Sequence, residues 1–294
     1  MRRRVAETFL FAWSWCSSLL LVAGVLTIIG YLFYKGLPVL NRQLIFGHTD
    51  ILDALLFRKP VFDGLLPAIA GTLLLVVTAV GLALPVGVAT GVYLAEYGHG
   101  RTKRLLTLLF EILAGIPSIV VGLFGFSLAI FLHNHLSRSI YPSLLIAAFS
   151  LAFLVLPYLI RSTQTALESL PRNIRVIAPA LGATRLQNVI FVLIPGSLNG
   201  IVSGVILSIG RCAEDTAVIM LTGAVAMTGV PKSLLSNFEA LPFFIYYISS
   251  QYMDQQELLK GYGAAILLLV LCTLLFALSL IIKTVMGRRM EGRL

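Results

Sequence analysis

Leu198-Asn-Gly-Ile-Val-Ser-Gly-Val-Ile-Leu-Ser208-Ile-Gly-Arg211-Cys-Ala-Glu214-Asp215-Thr-Ala-Val-Ile-Met-Leu-Thr222 is an apolar stretch of 25 residues that nonetheless carries an arginine and two acids. About 20 residues of helix cross a bilayer core of about 30 Å, so its length fits a membrane span. Composition places lipid around it. Hydrophobic residues make up 58% of the 294-residue chain and charged residues 12%, against roughly 45–50% and about 25% in soluble proteins. Mean hydropathy is +0.95, and a soluble core has no room for so much apolar surface.

Six stretches qualify as spans, at roughly 9–34, 69–95, 105–132, 144–160, 198–222 and 262–282. The first follows Arg2, Arg3 and Arg4, but its apolar run exceeds the roughly 7–15 residues of a signal-peptide core, so a retained anchor is expected. The net charge of +9 would suggest nucleic acid on a soluble protein; here the positive-inside bias accounts for it. The N-terminus, the 96–104 and 161–197 loops and the C-terminus carry 14 of the 22 basic residues. The opposite segments (35–68, 133–143 and 223–261) carry 7, and Arg211 is the last. Both termini are therefore expected on the cytoplasmic side. The chain reads as an all-α integral membrane protein with a leading helix and outer loop over 1–64, a five-helix core over 65–282 and a basic tail over 283–294. Gly71, Gly81, Gly87 and Gly91 are spaced for close helix packing. Pro85, Pro117 and Pro157 are each expected to kink a helix. Cys16, Cys212 and Cys272 lie in apolar stretches and read as small buried hydrophobes, not as a disulfide framework or a metal site.

An arginine at mid-membrane costs about 2.5–3.5 kcal/mol on the mildest scale, so Arg211 needs a partner or a water-filled path. On a continuous helix Asp215 at i+4 shares its face, with Glu214 at i+3. Ser197, Gly200, Gly204, Ser208 and Thr222 extend that stripe with small or polar residues, as the wall of a polar passage would. The other reading is an internal salt bridge that fixes helix packing. For an anion, the planar arginine fork suits oxyanions. In the 161–197 loop, Ile174, Ile177, Ala178 and Leu181 recur at helical spacing, Gly182 breaks the run, Val189, Val192 and Leu193 resume it, and Pro195 precedes the next span. This predicts two short amphipathic helices joined at a glycine, either a docking surface or a helix lying on the bilayer. Glu111 either lines a path or pairs locally. His133 and His135 lack a third ligand and read as loop residues. No Gly-Lys dipeptide occurs, hence no phosphate-binding loop for ATP, and no catalytic constellation recommends an enzyme.

Val176-Ile-Ala178-Pro-Ala-Leu-Gly182, followed after nine residues by Val192-Leu-Ile-Pro195, resembles the EAA loop of bacterial ABC importer permeases. Three further stretches resemble the PstA permeases of phosphate importers: Gly91-Val-Tyr-Leu-Ala-Glu-Tyr-Gly98, Gly115-Ile-Pro-Ser-Ile-Val-Val-Gly122 and the R-x3-[ED]-T of Arg211 to Thr216. The resemblance runs from about 65 to 282. It implies a type I importer permease (MetI-like) fold with a cytoplasmic coupling loop, in the bacterial cytoplasmic membrane. The implied task is ATP-driven import of inorganic phosphate, with no cofactor or metal of its own. The implied partners are a PstC-like second permease, a PstB-like ATPase dimer and a PstS-like periplasmic binding protein. By position, Arg211 and Asp215 match the family's intramembrane Arg and Glu, Arg161 its arginine ending the fourth span, and Gly182 its glycine at the ATPase contact.

Three positions depart from the family pattern. Val176 and Ile177 stand where the family has Glu and Ala, Glu214 where it has Gly, and Asp215 where it has Glu. The last two leave sulfate, molybdate and tungstate as alternative substrates. A stand-alone secondary transporter is the alternative from another class. It has no need of a docking loop, and it often shows inverted repeats, which this sequence does not.

Overall fold

The computed structural model describes residues 2–50, 61, 63–138 and 140–291. Residues 51–60 of the expected outer loop and the last three residues of the expected tail lie outside the described residues. Regular structure among the described residues is helical, apart from an isolated bridge between Ala224 and Phe238. The elements are α1 (Arg2–Gly36), a 3₁₀ turn (Leu37–Val39), α2 (Arg42–Phe46), α3 (Leu66–Val92) with a π-helical extension (Tyr93–Tyr97), α4 (Gly100–Ala114), α5 (Ser118–His135) and α6 (Leu144–Glu168). There follow α7 (Arg172–Ala180), α8 (Arg185–Asn188), a second π-helical segment (Val189–Leu193), α9 (Ile194–Glu214), α10 (Thr216–Thr222), α11 (Leu241–Gln251) and α12 (Gln255–Glu291). Among the described residues, six helices are long and apolar enough to cross a membrane: Phe9–Val39, Leu66–Tyr97, Ser118–His135, Leu144–Glu168, Arg185–Glu214 and Gln255–Val285. The chain is a multi-pass membrane protein.

The six spans come in the expected order but differ in extent, the sixth starting two turns earlier, at Gln255. The expected third span, 105–132, breaks at Gly115-Ile-Pro117, leaving α4 as a separate helix with none of its residues buried. Proline removes a backbone donor and disfavours helical geometry in the residue before it, and Gly115 adds a second weak point. The fourth span runs two turns further than expected, to Glu168. The fifth stops at Glu214, and its last residues form the separate α10. By contrast, Pro85 and Pro157 stay inside continuous helices. Cys212 is buried as expected, but Cys16 is exposed on α1.

The core is arranged around α6, which packs α3, α5 and α9 about itself. Leu151, Val155 and Leu159 of α6 meet Leu75 and Ala79 of α3 and Val218 and Ile219 of α10 in one buried cluster. Small residues set the approach. A Cβ on Gly87 would lie 2.7 Å from Cβ of Leu159, and one on Gly91 would lie 2.6 Å from Cβ of Thr163. Gly81, in the same glycine series, faces open space. α1 stands at the edge, chiefly against α12, with Tyr31 edge-on to Tyr262 at 5.9 Å.

Beyond α10 the chain folds over the end of the bundle where α6 begins, away from α7 and α8. The amides of Leu144 and Leu145 donate to the carbonyls of Ser236 and Leu234, and the Leu241 amide donates to Oγ1 of Thr72 at 2.9 Å. Glu239 is buried there, accepting the Gly229 amide at 2.7 Å. Burial pushes its carboxyl pKa up, against the backbone donors Gly229 and Thr228, which pull it down. With the folded-state pKa raised, the stability it contributes is full below the unfolded-state value and is lost as pH rises through the folded one. Glu239→Gln keeps an acceptor and cannot ionise. Its thermal unfolding in detergent should match the parent in acid and exceed it at neutral pH. Glu239→Ala should cost about 1–3 kcal/mol at both, by leaving the Gly229 amide unpaired.

Candidate translocation groove and coupling loop

Arg211 and its acidic neighbours divide their work differently from the sequence expectation. The helix ladder stops at Glu214, and Asp215 adopts extended backbone as the N-cap of α10, its Oδ1 accepting the Val218 amide at 2.9 Å. Asp215 is buried. It is therefore not the ion-pair partner of Arg211 across one turn. Glu214 is, with Nη1 of Arg211 donating to its Oε1 at 3.0 Å. A helix start inside the apolar layer leaves amides that need an acceptor, and a short Asp side chain at the cap supplies one. The longer Glu reaches back along the helix instead. Arg211 and Glu214 keep 37% and 62% of their side-chain surface accessible, so this chain's own packing does not seal the pair. Nε of Arg211 is buried without a partner among the described residues.

Within this chain Ser197, Gly204 and Ser208 of the stripe sit in a packing seam, and Gly200 lies at its edge, where it also lines the groove beside it. Ser208 is fully buried, its hydroxyl donated to the Gly204 carbonyl at 2.9 Å. Ser162 of α6 donates to the Gly200 carbonyl at 2.8 Å, and a Cβ on Gly204 would collide with Ser162. Small residues with self-satisfied hydroxyls let two helices touch, which is the same pattern that a polar wall would give in sequence.

An open groove of about 550 Å³ lies beside this seam. Its walls include Thr107 and Glu111 of α4, Tyr158 and Arg161 of α6, and Ser203 and Leu207 of α9. Arg211 stands one turn beyond Leu207 on the same helix and near Tyr158. Arg161 and Arg211 thus mark two heights along one surface. A second depression of about 600 Å³ continues from Arg161 and Glu111 to Lys103, Gln164 and Glu168. There Nζ of Lys103 meets Glu168 at 2.8 Å, and Gln164 donates to the same carboxylate at 2.9 Å. Glu111 lines both depressions. His133 lies elsewhere, against the Ile140 carbonyl and the Tyr141 ring.

The 161–197 region forms the expected helix, glycine, helix. α7 ends at Ala180, Gly182 turns the chain at φ +86°, and Thr184 caps α8 in a reciprocal box with Gln187. Here α8 continues through the π-helical segment directly into α9, so Pro195 sits in the first turn of α9 rather than in a loop. Val176, Ile177 and Leu181 point outward at 59%, 56% and 85% exposure, and Leu186 and Phe191 continue the patch. Ala178 is half-buried.

Residues 87–292 match the family described as binding-protein-dependent transport system inner membrane component. The chain is 32% identical over 247 residues to the phosphate transport system permease protein PstA of Haemophilus influenzae, covering 83% of each chain. It is also 32% identical over 226 residues to PstA 1 of Mycobacterium tuberculosis, covering 77% of this chain and 72% of that one. This chain belongs to the PstA permeases. A chain of the inward-facing MetNI methionine ABC transporter shares the fold, with a TM-score of 0.61 and 18% identity over 76% of this chain and 95% of its own.

As a PstA permease the molecule is a membrane subunit of a binding-protein-dependent transport system. Sequence reasoning missed Tyr158 and Gln164, which lie at i−3 and i+3 of Arg161 on α6: Tyr158 gave no signal in an apolar run, and Gln164 fell in what read as the start of a loop. It also missed the pairing of Glu96 with Arg175, although both sit in stretches singled out above. The cap on α10 makes a separable prediction. Asp215→Ala should destabilise the purified protein by about 0.5–2 kcal/mol, whereas Asp215→Asn, an equally good cap, should leave thermal stability near the parent's.

Proposed function

We propose that this chain is the permease subunit of an ATP-driven importer of inorganic phosphate in the bacterial cytoplasmic membrane. The observation that carries this reading is its kinship with proteins named PstA over most of its length. In this reading a PstC-like permease covers the open groove and completes the path. A PstB-like ATPase dimer docks on the exposed face of α7 and α8, and a PstS-like protein delivers phosphate to the outer end. ATP is hydrolysed on the partner. Residues 1–64 form a leading unit beside the 65–282 core, and the 283–294 tail lies with both termini on the cytoplasmic side.

Arg161 and Arg211 are the phosphate ligands in this scheme, because a guanidinium donates two parallel bonds to an oxyanion. Glu214 holds Arg211 between substrates, so the cation is never bare. An arriving dianion competes for the fork, and the hydroxyl of hydrogen phosphate can donate to the Glu214 carboxylate. Sulfate at neutral pH has no such proton and meets only repulsion. Ser208 and Asp215 act through packing and capping.

The test is uptake in a strain lacking its own phosphate importers, with sulfate, molybdate and tungstate as competitors. Phosphate uptake insensitive to all three is expected; preferential uptake of another oxyanion replaces phosphate in the reading. Arg211→Lys keeps the charge but loses the fork and should lower uptake about tenfold. Glu214→Gln should weaken discrimination against sulfate more than it slows phosphate.

Val176, Ala178, Gly182 and Pro195 shape the proposed ATPase contact. With Val176 and Ile177 in place of Glu and Ala, this contact rests on apolar burial. Gly182→Val strains a positive-φ turn by about 1–2 kcal/mol while meeting no neighbour. Co-purification of the ATPase and uptake should both fall, with membrane insertion normal. Full association and uptake in Gly182→Val argue against docking there, and with it against the cytoplasmic side assigned to this loop.

A further inference from the structure

We propose that Arg175 is the positioning residue through which the docking loop moves the membrane core, an inference that rests on reading that loop as the ATPase contact. α7 has no fully buried residue, and its larger apolar side chains point away from the bundle. Arg175 is turned the other way, with 23% of its side chain accessible and 17% of its partner Glu96. Its Nη1 donates to Oε1 of Glu96 at 2.5 Å, its Nη2 to the Leu167 carbonyl and its Nε to the Leu170 carbonyl at 3.4 Å. Its own carbonyl accepts Nδ2 of Asn188 at 3.0 Å.

These four contacts reach three different spans. Glu96 lies in the π-helical extension of α3, Leu167 is in the last turn of α6 with Leu170 just beyond it, and Asn188 precedes the π-helical segment that leads into α9. Beneath Arg175 the same three helix ends meet in a small apolar cluster of Leu167, Val189 and Leu193, with Val92 and Ile194 packed on it. Only a planar group with several fixed N–H directions can hold a carboxylate and two carbonyls at once. The cation also faces the negative end of the α6 dipole. A push on the outer face of α7 therefore arrives at α3 and at the end of α6 through the Arg175 side chain, and at the approach to α9 through the carbonyl of the same residue.

A residue that only keeps the loop folded would affect ATPase binding, hydrolysis and transport alike. A coupling residue changes the ratio between the last two. The experiment uses the complete complex in proteoliposomes, measuring inorganic phosphate taken up and ATP hydrolysed in the same vesicles. Arg175→Ala should retain the ATPase and keep hydrolysis within about twofold, while phosphate moved per ATP falls about tenfold. Arg175→Lys and Glu96→Gln should show smaller losses of the same kind. In a background with Cys16, Cys212 and Cys272 replaced by alanine, Glu96→Cys with Arg175→Cys should regain coupling when a short bis-methanethiosulfonate bridges the pair. An unchanged ratio, a parallel fall of uptake and hydrolysis, or a bridged pair no better than the unbridged one overturns the proposal. If the parent complex carries sulfate and not phosphate, the substrate reading fails, and the ratio measured with sulfate still decides the role of Arg175. If the ATPase does not bind the parent chain, the loop reading and the proposal fall together.

Discussion

Inside a bilayer a backbone amide has no water to turn to, and each break in a spanning helix must bring its own acceptors. At Asp215 the acceptor is a side chain, which commits that carboxylate to the backbone and leaves Glu214 for Arg211. At 115–117 the chain solves the same problem locally, with the Gly115 and Ile116 amides bonded to the carbonyls of Ile112 and Leu113. The π-helical segments avoid a break altogether. They absorb an extra residue within the ladder, so α3 runs on to Tyr97 and α8 joins α9 without a gap in hydrogen bonding.

Once the backbone is satisfied, contact between helices depends on how closely they can approach. Lipid tails are as apolar as leucine, so burial of aliphatic surface gives little preference for one neighbour over another, and small residues decide. Gly87 and Gly91 seat α3 on α6, and Gly200 and Gly204 seat α9 there. Gly122 and Gly125 admit α10 beside α5. The groove holding Arg161 is what remains where α4, a helix without buried residues, stands off from α6 and α9.

The spans were legible because length and apolarity alone define them, and the helix, glycine, helix unit was legible because its period is local. The broken ends were not. A run of apolar residues reads the same whether its hydrogen-bond ladder is whole or stops, so Leu105 to Leu132 looked like one helix and Asp215 looked like a helical residue. The stripe through Ser208 was ambiguous for a related reason: small and polar residues at steps of three and four suit both a wet wall and a dry seam. Arg211 stood out by type and Arg161 through the resemblance to the family, but their common surface arises only when α6 and α9 are placed side by side.

The central position of α6 also bears on how the chain is made. A ribosome releases α3, α5 and α6 before α9 and α10, so the partners of Ser162, Leu151 and Leu159 on the far side do not yet exist when α6 enters the membrane. Until residues near Thr222 have emerged, α6 has one face on α3 and another on lipid, with Thr163 and Gln164 among its inward side chains. Assembly of this bundle is thus completed by late insertion. The segment bearing Arg211 is the one that covers the open side of α6, before α12 packs on α9, and the groove takes shape only after that segment is seated.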